Sequence, residues 1–107
     1  KGIMTKRFDV CLTLVLPKGL EARILDSLLK HPAWVGPFNT HRIEGHGDPE
    51  GIASAREQVR GRAERVRIEI LMDALHVAEL LQELKSELPS PEVTWWLSPV
   101  LDSGALA

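Results

Sequence analysis

The chain is poor in several things, and each shortage excludes something. It holds one cysteine, Cys11, among 107 residues, so no internal disulfide can form and the usage suits a reducing compartment. It has no tyrosine, and the stretch Arg65 to Met72 holds no aromatic residue at all, so the aromatic platform on which single-stranded RNA bases would stack is missing there. Neither sign of charge dominates: the formal net charge is −2, which lacks the electrostatic footprint of a nucleic-acid-binding protein. The apolar runs are too short to cross a bilayer, and the start of the chain has no signal-peptide core. A cytoplasmic location is therefore expected. Catalytic signatures are missing too. Ser27, Ser54, Ser86, Ser90, Ser98 and Ser103 stand in no nucleophile-elbow pattern, and there is no phosphate-binding glycine loop of the P-loop type. The chain is expected not to be an enzyme.

What is present reads as one small globular domain with one core. In "RFDVCLTLVLP", Arg7 to Pro17, the residues Phe8, Val10, Leu12, Leu14 and Leu16 alternate onto one face, the mark of a strand. The opposite face, Asp9, Cys11, Thr13 and Val15, is only half polar. Cys11 is expected to be a small core residue. "LEARILDSLLKH", Leu20 to His31, carries Leu20, Ile24, Leu25, Leu28 and Leu29 at helical spacing, with Lys30 and His31 in its last turn and Pro32 as its stop. A second strand, Phe38 to Gly47, is followed by a third, Arg65 to Met72. Asp73 is a fair N-cap for a second helix, with Ala74, Val77, Leu81, Leu84 and Leu88 as its apolar stripe and His76 as a surface residue of its first turn. Val93 to Val100 closes the domain as a fourth strand.

The expected order is β-α-β-β-α-β, the ferredoxin-like α+β arrangement of a four-stranded antiparallel sheet with both helices on one face. The domain is expected to span residues 8–101, with 1–7 as an N-terminal extension and 102–107 as a flexible tail. Met4-Thr5-Lys6 reads as a natural start, so Lys1 to Ile3 are expected to be an added remnant. The second sheet face has no helix to cover it, yet the alternation directs Val15, Leu71, Trp96 and Val100 to it. Such a face calls for a partner, most simply further copies of the same chain. Trp95 and Trp96 are adjacent and must face opposite ways, one into the helix-side core and one onto the open face.

Between the second and third strands the alternation stops. "IEGHGDPEGIASAREQVRG", Ile43 to Gly61, is a long connection for a compact domain, and connections of this length are usually functional or disordered. Gly45 and Gly47 flank His46. Without Cβ atoms they let backbone N–H groups approach an anion or a neighbouring subunit. Arg60 and Arg62 can gather phosphate or an acidic surface. Arg56 and Arg67 read instead as solvated strand-edge charges with Glu57, Glu64 and Glu69 as neutralising partners. His41 and His46 are five residues apart, which puts them on opposite faces of a regular strand. They share one divalent transition metal only through the glycine kink or across a subunit boundary.

The motifs "EGHG" (Glu44 to Gly47) and "VRGRAERVRIEIL" (Val59 to Leu71), placed on this frame, resemble the PII (GlnB-like) superfamily. The turn Gly45-His46-Gly47, the pair Arg60-Gly61 and the strand residues Val66, Ile68, Glu69 and Ile70 carry the likeness. More closely, "GHG", "QVRGR" (Gln58 to Arg62) and the closing Trp96 to Val100 resemble a small proteobacterial PII-like family of unassigned function, often encoded beside heavy-metal efflux pumps. The resemblance implies a homotrimer packed through the open sheet faces and a T-loop-like segment at 48–63. It further implies a small-ligand site at the subunit cleft near Gly45, His46, Gly47, Arg60, Gly61 and Arg62, and a membrane transporter as the regulated partner. It departs from PII proteins where these carry a second, Lys-containing glycine loop for ATP. Here that place is "ELPSPEV", Glu87 to Val93, without glycine or lysine. The ligand therefore stays open between an adenine nucleotide and a divalent transition metal. The metal would be bound through His41 and His46, in the manner of the similarly built CutA-type proteins.

Overall fold

A computed structural model of the chain describes residues 8–45 and 63–107. Strand β1 is Val10–Pro17, helix α1 is Glu21–Leu29, β2 is Phe38–Gly45, β3 is Ala63–Met72, helix α2 is Val77–Glu87 and β4 is Thr94–Pro99. Each helix is entered through a short 3-10 turn, Lys18–Leu20 and Ala74–His76. Asp73 caps the second of these turns, its side chain accepting from the Leu75 N–H, as its place before the helix predicts. The strands form one sheet in the order β2-β3-β1-β4, antiparallel at every pairing. The expected ferredoxin-like arrangement is what the chain adopts.

The core lies between the sheet and the helices. On the sheet's inner face Leu12 pairs with Ile70, Leu14 with Ile68 and Leu16 with Val66, and all six are buried. Ile24 and Leu28 of α1 and Val77, Leu80 and Leu84 of α2 close over them. The apolar stripes read from the sequence need three corrections, the first at Ala74, which is exposed and lies in the 3-10 turn before α2 rather than on its buried stripe. Leu29, expected on the α1 stripe, is 68% exposed: it is the last residue of α1, and its neighbour Leu28 takes the inward position. Leu80 is missing from the expected α2 stripe, yet it is fully buried. It sits three residues beyond Val77 and four before Leu84, the central line of that face.

The remaining differences are at element ends and at the sheet edge. β1 begins at Val10 rather than Arg7, and β3 begins at Ala63, two residues before Arg65. Residues 46 and 47, assigned by sequence to the second strand, lie outside the described residues. Trp95 does stand on the inner face, opposite Leu14, but it is 45% exposed rather than core, because β4 is the sheet's edge strand. Cys11 corrects the sequence reading as well. It pairs with Leu71 and Ser98, and this row belongs to the open face, not the core. The loop before β2 is pinned to the sheet through Gly36, whose N–H donates to Leu71 O at 3.0 Å, while Leu71 N–H donates to Pro37 O at 3.0 Å.

Candidate functional site: the open sheet face and the base of the β2–β3 connection

The register defines the face that no helix covers. Its rows are Cys11, Leu71 and Ser98; then Asn39, Glu69, Thr13 and Trp96; then His41, Arg67, Val15 and Thr94; then Ile43 and Arg65. The sequence expectation for Val15, Leu71 and Trp96 holds. Thr13 stands at the centre, opposite Glu69 on one side and Trp96 on the other. It is only 3% exposed. A hydroxyl so shielded on a face without helices marks where the flanking side chains close together. The Nε of Arg67 is buried there without a hydrogen-bond partner, a state that costs free energy until an acceptor arrives.

His41 lies on the β2 side of this face. Its ring Nε2 is 2.8 Å from Asn39 Oδ1 and 3.3 Å from Glu69 Oε1. Asn39 and Glu69 are themselves cross-strand neighbours, so the imidazole rests over a ready pair of oxygens. Sequence reasoning locates His41 but not these two partners. Only the strand register brings them together, one at separation two in the chain and one from the adjacent strand. The expected second metal ligand, His46, lies outside the described residues. Among the described residues no group of three or more His, Cys, Asp or Glu side chains is arranged to hold a metal ion.

The β2–β3 ladder runs to its last pair, Gly45 with Ala63, so the two ends of the connecting segment are held side by side. Of the predicted ligand-binding residues, Gly45 ends β2. His46, Gly47, Arg60, Gly61 and Arg62 lie outside the described residues, as does nearly all of the segment 48–63. At the base of the connection a cavity of about 300 Å³ is lined by Arg42, Ile43, Glu44, Glu64 and Arg65. Lys18 approaches from the turn after β1, 3.6 Å from Glu64. The base therefore mixes both signs of charge. Such a lining matches polar groups better than apolar ones.

Two further clusters are not legible in sequence. Between the helices, Glu87 accepts from the buried Ser27 hydroxyl and pairs with Lys30 Nζ at 3.2 Å, while Arg23 donates to the Glu87 carbonyl at 3.4 Å. This group lines a cavity of about 340 Å³, but its carboxylate is already satisfied, and the cluster serves as a clamp between α1 and α2. On the far side, Trp34 lies between two imidazoles, stacked on His31 at 4.6 Å and on His76 at 6.5 Å between ring centroids. His76 Nδ1 is 3.2 Å from Glu79 and His31 Nε2 is 3.7 Å from Glu83. His31, expected as a charge in the last turn of the first helix, and His76, expected as a surface residue of the second helix's first turn, together brace the loop that carries Trp34.

A four-stranded antiparallel sheet with two helices on one face and a long β2–β3 connection defines the ferredoxin-like, PII-like class of folds. Residues 6–107 match the family model described as Protein of unknown function (DUF3240), and the chain belongs to that family. Solved structures agree on the fold. The chain is similar to a DUF3240 family protein from Shewanella baltica OS155, with 21% identity, 94% of this chain and 99% of that chain covered, and a TM-score of 0.75. It is similar to a nitrogen regulatory PII-like protein from Thiomonas intermedia K12, solved with ADP, AMP and bicarbonate, with 12% identity, coverage of 95% and 100% and a TM-score of 0.68. It is also similar to CutA1 from Pyrococcus horikoshii, with 16% identity, coverage of 89% and 86% and a TM-score of 0.68. No curated protein matches it. Among the described residues no helix is long and apolar enough to cross a membrane.

Proposed function

We propose that this chain is a non-enzymatic, cytoplasmic PII-like regulatory protein that assembles as a homotrimer through its open sheet faces. The observation that carries this reading is the face itself. Cys11, Val15, Leu71 and Trp96 surround a shielded Thr13 on a sheet with no second helical layer, and a half-apolar face of this kind is stable when another copy covers it. Assembly brings the base of the β2–β3 connection against a neighbouring subunit. A small ligand in that cleft contacts Gly45 to Gly47 and Arg60 to Arg62 and biases one conformation of segment 48–63. A membrane transporter reads that conformation, with heavy-metal efflux as the process served. The nucleotides and bicarbonate bound by the Thiomonas relative support a small anionic ligand.

A second reading, direct binding of a divalent transition metal, is favoured by one observation, the imidazole of His41 set beside the oxygens of Asn39 and Glu69. Thermal unfolding of chelator-stripped protein separates the two. A ligand bound only by the folded state at a hundredfold over its Kd adds about 2.7 kcal/mol, a midpoint rise on the order of 10 °C for a domain of this size. A rise with ATP, ADP or AMP that is lost on replacing Arg60 and Arg62 by Ala supports the regulatory cleft. A rise with nickel or zinc alone, lost with His41→Ala, transfers the site to the histidines.

A further inference from the structure

The two edges of the sheet are built differently. β2, at one edge, presents Asn39, Thr40, His41, Arg42 and Glu44, all exposed, the polar protection that keeps an edge strand from recruiting other chains. β4, at the other, has no charged residue and presents Trp95, Trp96 and Leu97 at 45%, 49% and 43% exposure. Beside this apolar edge, between β4 and α2, opens a cavity of about 110 Å³. Leu81, Leu84, Leu88, Val93 and Trp95 wall it, and Lys85 stands at its lip. A dry cavity of ~150 Å³ admits benzene. This smaller one accepts a single aliphatic side chain.

The chain carries such a side chain on a segment that packs nowhere on its own domain. After β4 the tail has no regular structure, and Leu101 is 98% exposed. The Val100 N–H donates to Asp9 O at 3.0 Å, so the tail leaves the sheet beside the start of β1. The cavity lies at the opposite end of β4, where Thr94 and Trp95 pair with Val15 and Leu14. The tail is thus directed away from the cavity of its own domain. The residue after Leu101 is Asp102, and Lys85 makes no ion pair among the described residues, so the lip and the tail are complementary in charge.

We propose that Leu101 of one copy fills the α2–β4 cavity of a second copy, with the Asp102 carboxylate beside the Lys85 ammonium. Tail and cavity are different surfaces, so the contact is head-to-tail, and repetition closes it into a ring or propagates it. It lies on the helix side of the sheet and does not depend on the open-face association proposed above.

The test is a disulfide trap in the full chain with Cys11→Ser. Leu81→Cys and Leu101→Cys are placed on separate chains, mixed and mildly oxidised. Expected is a linked pair of double mass formed from the mixture. Adding Asp102→Lys to the tail chain slows its formation about tenfold, and Lys85→Asp on the cavity chain restores it. Leu101→Asp, at an exposed position, leaves the circular dichroism of the domain unchanged and removes the chain's contribution to self-association. The proposal is overturned if no linked pair forms, if a chain bearing both cysteines closes only on itself, or if the charge reversal gives no rescue. Thr13→Arg reads the open face separately. Loss of association in Thr13→Arg with no trapped pair refutes the tail contact alone, and a trapped pair that survives Thr13→Arg supports it alone.

Discussion

Replacing Thr13 by Arg tests whether the open sheet face is an interface. Thr13 is at the centre of that face, 3% exposed, with Glu69 and Trp96 opposite it on the flanking strands. In the isolated chain the long arginine side chain can rise off the face into water and lie beside Glu69. Because the flanking side chains shield position 13, they must part to let it out, at a cost to the single chain of about 1–3 kcal/mol. In an assembly that covers the face, the guanidinium is taken out of water without a dedicated partner, at an effective cost of several kcal/mol. Taking about 3 kcal/mol per interface, and 1.4 kcal/mol per tenfold, the dissociation constant rises roughly a hundredfold. Sedimentation velocity over a concentration series reads the dissociation, and denaturant unfolding of the dissociated chain reads the fold. An assembly with an unchanged dissociation constant, beside an intact fold, refutes the assignment of this face.

Other substitutions probe the fold and the remaining sites. Ser27→Ala removes the donor to Glu87 at a buried position and is expected to cost ~1.5 kcal/mol. That is a Tm drop on the order of 6–12 °C. Glu87→Gln keeps an acceptor for Ser27 and loses only the partly exposed pair with Lys30, so it should cost under about 1 kcal/mol. The reverse ranking in calorimetry would show that the charge pair, not the hydroxyl, ties α1 to α2. Gly36→Ala sets a Cβ against the Leu71 carbonyl oxygen and the Phe8 ring. The strand cannot yield, and a loss above about 2 kcal/mol is expected in urea melts. Leu80→Ala, at a fully buried position, should cost about 2–5 kcal/mol, whereas Leu29→Ala, largely exposed, should fall within about 0.5 kcal/mol.

How much of this is legible in the sequence follows from what each signal depends on. Alternation is local, so the four strands, their faces and the division of Trp95 from Trp96 are readable from the order of residues alone. Helical spacing is local too, but choosing between Leu80 and Leu81 as the buried member of the α2 stripe takes the direction from which the sheet approaches. Leu29 is misassigned for the same reason: its neighbour Leu28 takes the inward position at the end of α1. The usual burial of cysteine points Cys11 to the core, yet strand parity sets it with Thr13 and Val15. The clusters around Glu87 and Trp34 join residues about sixty and forty positions apart, and no local pattern announces them. Of the candidate site, His41 and Gly45 can be located on β2. The oxygens beside His41 depend on register, which single-sequence reading does not fix.

The composition of the open face sets what any partner must bring. Its β1–β4 side is uncharged, with Cys11, Val15 and Trp96 set among the hydroxyls of Thr13, Thr94 and Ser98. Its β2–β3 side carries His41, Arg65, Arg67 and Glu69. A wholly apolar face would drive indiscriminate association, and a wholly charged one would resist it through desolvation. The mixed face does neither: burial of the apolar side chains on the uncharged half supplies the driving force, while the charged half penalises any partner that does not match it. The Arg67 Nε, buried without an acceptor in the single chain, makes this requirement specific. A partner surface that delivers an oxygen to that point relieves a cost the monomer already carries, and a partner that seals it without one adds to that cost. Orientation on this face is therefore selected by the charged half, at the strand pair from which the long β2–β3 connection leaves the sheet.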